Sequence, residues 1–145
     1  MNHPLVERLL ELCPHASTAW QEHLAFWQGE PDRGVYNDLA VFAHHVVETS
    51  IHGDKEPAAA VLAFLEQALE TPSEEDQQLL IWGLVESIQV IASHTPGLQE
   101  QLTAQSGPRT ADAWQRVAEA WAGHRSLADV LRHEARQANP DHGAA

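Results

Sequence analysis

A chain of 145 residues with 43% hydrophobic content fits one domain, large enough to bury a core without staples. Its formal net charge is −13, and its single cysteine, Cys13, excludes an internal disulfide and leaves a Cys-based zinc site without a ligand set. No apolar run approaches the roughly 18 residues that a bilayer requires, and Met1-Asn2-His3-Pro4 lacks the basic start of a signal peptide, so a cytoplasmic protein without membrane contact is expected.

Helical periodicity dominates, and strand-like alternation is missing. The first helix is expected at about Pro4–Cys13, with Pro4 at a first helical position and Pro14 as its stop. Cys13 lies among Leu9, Leu10 and Leu12, which suits a small buried hydrophobe. A second helix, about Ser17–Gln28, puts Trp20, His23, Leu24 and Trp27 on one face, and Pro31-Asp32-Arg33-Gly34 is a turn. The third helix, about Val35–His52, carries Val35, Leu39, Ala43, Val46, Val47 and Ser50 on one side. Gly53 suits its end, and Asp54 can cap a fourth helix at about Lys55–Glu70.

Thr71-Pro72-Ser73-Glu74 has the form of a capping box for a fifth helix, with Glu74, Glu75 and Asp76 complementing its dipole. The body of that helix, Leu79–Ala92, is apolar nearly all round and is expected at the centre. A short helix at Leu98–Ala104 precedes the break Ser106-Gly107-Pro108. Two more helices follow in this reading, about Thr110–Ala122 and Ser126–Gln137, separated by Gly123. The expected architecture is all-α, with seven to eight helices in an antiparallel bundle or a short solenoid of helical pairs. Residues 1–105 form an acidic helical core, residues 106–138 a C-terminal helical pair packed on it through Trp114 and Trp121, and residues 139–145 a disordered tail.

Charge divides the chain differently from hydropathy. Residues 1–100 hold three cations (Arg8, Arg33, Lys55) against sixteen acids, whereas residues 101–145 hold five arginines against five acids. The first hundred residues repel phosphate, which argues against direct nucleic-acid binding and favours a partner with a basic surface.

Chemistry-bearing residues gather on the third helix. His44, His45, Glu48, His52 and Asp38 fall on the side away from its apolar stripe, and the four-residue spacings His44–Glu48 and Glu48–His52 let side chains reach one ion. A metal site using His44, His45, Glu48 and His52 is one reading; a solvated face with several histidines is the other. His44-x-x-x-Glu48 resembles one piece of the hemerythrin ligand pattern, but His-x-x-x-His is missing from the chain, which speaks against a di-iron site. His23 is read as a core histidine bonded to a carbonyl. There is no P-loop, dinucleotide fingerprint or G-x-S-x-G, so no catalytic residue and no cofactor is assigned.

Several stretches carry a family likeness. They are Val6–Pro14 ending in Cys-Pro, Trp20 and Trp27, Gly34-Val35-Tyr36-Asn37-Asp38-Leu39, Ala63-Phe64-Leu65-Glu66, and Leu80-Ile81-Trp82-Gly83-Leu84-Val85-Glu86-Ser87-Ile88. Over about residues 5–95 the chain resembles a family of small uncharacterised bacterial helical proteins, some of which resemble immunity proteins of toxin systems. That resemblance implies an all-helical fold and transfers no active-site residue.

The leading functional expectation is an acidic, immunity- or antitoxin-like inhibitor docking on a basic protein. Its expected contacts are Glu30, Asp32, Tyr36, Asp38, Glu48, Glu74, Glu75 and Asp76, with Trp27 as the aromatic anchor. The metal-binding helical protein and a homo-oligomer joined through the C-terminal helices are the alternatives.

Overall fold

In the computed structural model, residues 2–28, 30 and 33–138 are described, with side chains as far as residue 123. Among the described residues the chain is all helix, with no strand. Seven helices follow one another through short connections. They are α1 (Pro4–Leu12), α2 (Ser17–Phe26), α3 (Val35–Ile51), α4 (Glu56–Ala68), α5 (residues 74–92), α6 (Leu98–Ala104) and α7 (Pro108–Ala138), with a 3₁₀ turn at Pro14–Ala16.

Local chemistry sets most of the boundaries. His3 caps α1 through Nδ1, which accepts the Leu5 N–H at 3.1 Å, and Pro4 occupies the first turn where its missing N–H costs nothing. The helix α4 starts one residue later than expected, with Lys55 at the cap position, and Asp54 supports it from just outside by accepting the Glu56 N–H at 3.2 Å. The start of α5 differs from the sequence reading. Ser73, with extended backbone, is the cap and accepts the Asp76 N–H at 3.2 Å, while Thr71 Oγ1 accepts from Ser73 N. Ser73 is therefore a single cap without the reciprocal bond of a box, and Pro72 lies outside the helix.

Two helices form the centre. Leu39, Phe42, Ala43 and Val46 of α3 meet Leu80, Leu84, Val85 and Ile88 of α5, all fully buried. Around this pair α1 contributes Val6 and Leu9, α4 contributes Ala58, Val61 and Leu65, and α7 contributes Trp114 and Val117. Each large side chain so buried stabilises the fold by roughly 1.5–3 kcal/mol. Cys13 is buried too, and burial pushes its thiol pKa up, which keeps it an inert hydrophobe.

Inside α5 the stretch Leu79–Val85 is wound as a π-helix, with the Glu86 N–H reaching back five residues to the Ile81 carbonyl. Gly83 lies in this widened segment. A Cβ there would stand 2.7 Å from Leu39 Cδ1 and 3.3 Å from Tyr36 Cδ1, so the absent side chain is what lets α3 approach.

The C-terminal pair is corrected to a single helix. α7 runs unbroken from Pro108 to Ala138, through Gly123. A glycine inside a helix costs only about 1 kcal/mol, and the flanking Ala120, Trp121 and Ala122 keep the segment helical. Residues 139–145, expected as a tail, lie outside the described residues.

Candidate functional site

The most elaborate polar arrangement sits where α2 turns into α3. Trp20 of α2 is buried against Phe42 of α3, ring centroids 6.0 Å apart, and against His23 one turn on, at 5.3 Å. Asp38, in the first turn of α3, is only 5% exposed. Its Oδ1 accepts from His23 Nε2 at 2.7 Å and from Arg33 Nε at 2.8 Å. A carboxylate only accepts, so the His23 proton lies on Nε2. Arg33 in turn stands over the Trp20 ring at 5.9 Å and donates from Nη2 to Asn2 Oδ1 at 2.9 Å. Asn2 donates to Glu7 Oε1 at 2.8 Å. One buried carboxylate thereby ties the N-terminus, α2, the connecting loop and α3 together. Among the described residues no hydroxyl or thiol bonds the His23–Asp38 pair, so the pair has no nucleophile to activate.

Above this rigid base the surface is aromatic. Phe26, one turn beyond His23, is 81% exposed, and Tyr36, two residues before Asp38, is 49% exposed. Trp27 is half-buried and supports Phe26 edge-on, centroids 5.4 Å apart at 80°. Tyr36 lies along α5 at Gly83, so its ring has one side on protein and one open. Glu22 and Glu30 are exposed on the same corner of the chain.

Several expected residues fall elsewhere. Trp27 and Glu30 follow α2 and Tyr36 stands in the first turn of α3 with its ring toward α5, but Asp38 is the buried hub and has no surface to offer a partner. Asp32 lies outside the described residues. Glu48 is exposed twelve residues along α3 from Tyr36, about 18 Å at 1.5 Å per residue. Glu74, Glu75 and Asp76 form the first turn of α5, about two turns before the Gly83 contact. Phe26 escaped the sequence reading, which gave the anchor to Trp27. The available signal was its place as the last residue of α2, where the chain turns away and covers nothing.

The third-helix cluster does not form a ligand set. His44 and Glu48 are exposed, and His52 Nδ1 turns back to the Glu48 carbonyl at 2.8 Å. His45 is turned away from them, into a cleft of about 360 Å³ lined by Cys13, His15 and Glu56. Burial there lowers its pKa, with Glu48 opposing and His15 reinforcing the shift. Among the described residues no group of three or more His, Cys, Asp or Glu side chains is placed to hold a metal ion. The helix-wheel assignment failed because α3 is covered on more than one side, by α1, α2, α4 and α5, so Asp38 and His45 face protein rather than water. His23 bonds a carboxylate and not the expected carbonyl.

A second polar joint lies between α4 and α7. Glu66 Oε1 accepts the Thr110 N–H and hydroxyl, each at 3.0 Å, and Oε2 accepts the Arg109 N–H at 3.1 Å. The Arg109 guanidinium bridges Glu66 and Glu70, at 3.4 and 3.0 Å. A carboxylate from another helix thus caps the start of α7 and answers its dipole. Burial works to raise the Glu66 pKa, but these hydrogen bonds and the Arg109 charge outweigh it and hold the carboxyl below its ordinary value.

An all-helical protein whose second and third helices are joined by a buried carboxylate hub is the class these residues define. Within it, the chain belongs to the family described as domain of unknown function DUF7674, whose profile matches residues 6–122. No curated protein and no solved structure matches the chain. No helix among the described residues is long and apolar enough to cross a membrane.

Proposed function

We propose that the protein is an acidic binding module that docks on a basic protein surface, in the manner of an immunity or antitoxin-like inhibitor in a bacterial cytoplasm. The observation that carries this reading is Phe26. A side chain this apolar, 81% exposed, stands on a corner fixed by a buried ionic hub. Such a residue contributes nothing to the core, and a rigid aromatic anchor loses little entropy on binding. The net charge of −13, all of it accounted for by residues 1–100, steers a cationic partner toward the body that carries the corner. Phe26 and Tyr36 supply the buried contact, Trp27 the support, and Glu22 and Glu30 the charged rim.

The test is titration of the purified chain with the product of the adjacent gene, by calorimetry at roughly 50 and 300 mM salt. Binding is expected to weaken at the higher salt, and Phe26→Ala to cost about 2 kcal/mol, roughly a 30-fold loss of affinity. Because Phe26 is so exposed, the same change is expected to leave folding stability within about 0.5 kcal/mol. An interaction indifferent to both salt and Phe26→Ala would sink the proposal.

A further inference from the structure

His45 lies where α1, α3 and α4 meet. Its ring lines the cleft of about 360 Å³ whose other walls are the end of α1 with the turn after it, carrying Cys13 and His15, and the start of α4, carrying Glu56 and Pro57. The residue is half-buried, but its Nε2 is sealed from water and has no hydrogen-bond partner. A neutral imidazole in this place forgoes one hydrogen bond. An imidazolium carries a proton on both nitrogens, so charging His45 sets a charged N–H at the sealed position with nothing to accept it. Leaving a charged donor dry and unpaired costs far more than leaving a neutral one.

The surrounding charges do not rescue the proton in place. Burial is the largest influence on His45 and lowers its pKa, and His15 adds to the lowering; Glu48, three residues on along α3, and Asp54, past the end of that helix, pull the other way. Glu56 stands at the cleft from α4 and the Cys13 thiol from the end of α1, while α2 and α5 place no titratable group in it. None of these carboxylates bonds Nε2. The slightest of the walls is the Pro14–Ala16 turn, three residues of 3₁₀ helix without a side-chain cap. We propose that this cleft is an acid-opened seam: a proton taken up by His45 parts the Cys13–His15 turn from the start of α4, so that water or the Glu56 carboxylate reaches Nε2. In the open form the ring is free to protonate at its ordinary value of 6.5, and in the closed form only below it. Closure is therefore whole above about pH 6.5 and weakens as the pH falls toward the lower, closed-form value.

Cys13 reports on the seam, because it is the chain's only cysteine, is 4% exposed and lines the cleft. The full chain is labelled with a pyridyl disulfide, which reacts in mild acid, and each rate is divided by that of the urea-unfolded chain at the same pH to remove the effect of thiol ionisation. The normalised rate is expected to rise about 5-fold from roughly pH 7.5 to 5.5 with the helical circular dichroism unchanged. His45→Gln, which has no titrating ring, is expected to abolish the rise. Glu48→Gln removes a charge that favours the closed imidazolium and is expected to enlarge the rise; His15→Gln removes one that disfavours it and is expected to shrink the rise. Glu48 and His15 are both exposed, so these two variants keep the test decisive if His45→Gln disturbs folding. A normalised rate that stays flat across this range, or a rise that survives His45→Gln or is indifferent to both exposed variants, overturns the inference.

Discussion

Asp38 and Glu66 each join one helix to another, and they do it with different chemistry. Asp38, its side chain 7% exposed, takes all its partners from side chains, the imidazole of His23 and the guanidinium of Arg33. Glu66, 22% exposed, takes the backbone N–H groups of Arg109 and Thr110 and a hydroxyl, with one guanidinium at its edge. Loss of the first carboxylate leaves the His23 Nε2 and Arg33 Nε donors without their shared acceptor. Loss of the second uncovers helix-end N–H groups that water can reach. The two joints also support different things. The Asp38 joint underlies the end of α2 that carries Phe26, and the Glu66 joint fixes the start of α7.

The sharpest way to break the comparison is Asp38→Ala. Removing Asp38 leaves the His23 and Arg33 donors facing no acceptor in a largely covered site, although Arg33 keeps its bond to Asn2, so the expected loss is about 2–3 kcal/mol by urea denaturation. Phe26 and Tyr36 lose their footing together with it, and partner binding falls further than the loss of an exposed carboxylate would explain. A loss under about 1 kcal/mol would mean that the cluster contributes geometry without stability.

Glu66→Ala comes next, at about 1–2 kcal/mol, the range of a helix cap with charge-assisted hydrogen bonds. Its signature is in the pH dependence. The folded Glu66 pKa lies below the value of 4.5 it has when free. Its stabilisation is therefore whole above about pH 4.5 and disappears as the pH falls through the lower folded value. The stability difference between wild type and Glu66→Gln, followed by thermal melting, is expected to shrink across that acid window. A difference that stays constant there would assign the cap to neutral hydrogen bonding alone.

Much of the fold was legible in sequence, and the two joints show where legibility stopped. Pro4, Asp54 and the short helix Leu98–Ala104 act within a few residues of their place in the chain, so local rules found them. Asp38 and Glu66 act across the molecule, Glu66 on residues 43 and 44 positions away. No spacing rule connects such pairs. The helix wheel of α3 placed Asp38 and His45 in water because it assumed one buried side, and α3 has several. The same assumption made a metal face from His44, His45, Glu48 and His52, residues that the fold sends in different directions. Gly123 misled for the opposite reason: its local signal was real but weak, and a continuous helix overrode it.

Gly83→Ala has the smallest expected effect on stability and sharpens the corner's mechanics most. Alanine in place of glycine in a helix is worth about 1 kcal/mol on its own. Here the new Cβ meets Leu39 Cδ1 at 2.7 Å, and Leu39 is fully buried with no room to retreat. Overpacking of that kind costs about 1–3 kcal/mol, so the net result is a loss of about 1 kcal/mol. The second contact, with Tyr36 at 3.3 Å, moves a ring that is half in water and free to give way. The substitution therefore displaces Tyr36 while leaving the Asp38 hub intact. A change in the fluorescence or partner affinity of Tyr36 without disruption of the His23–Asp38 pair, followed by imidazole NMR, separates the display from its foundation. If Gly83→Ala instead stabilised the chain with Tyr36 unmoved, the π-wound segment of α5 would have slack to absorb a methyl group, and its close fit to α3 would not be what sets the corner.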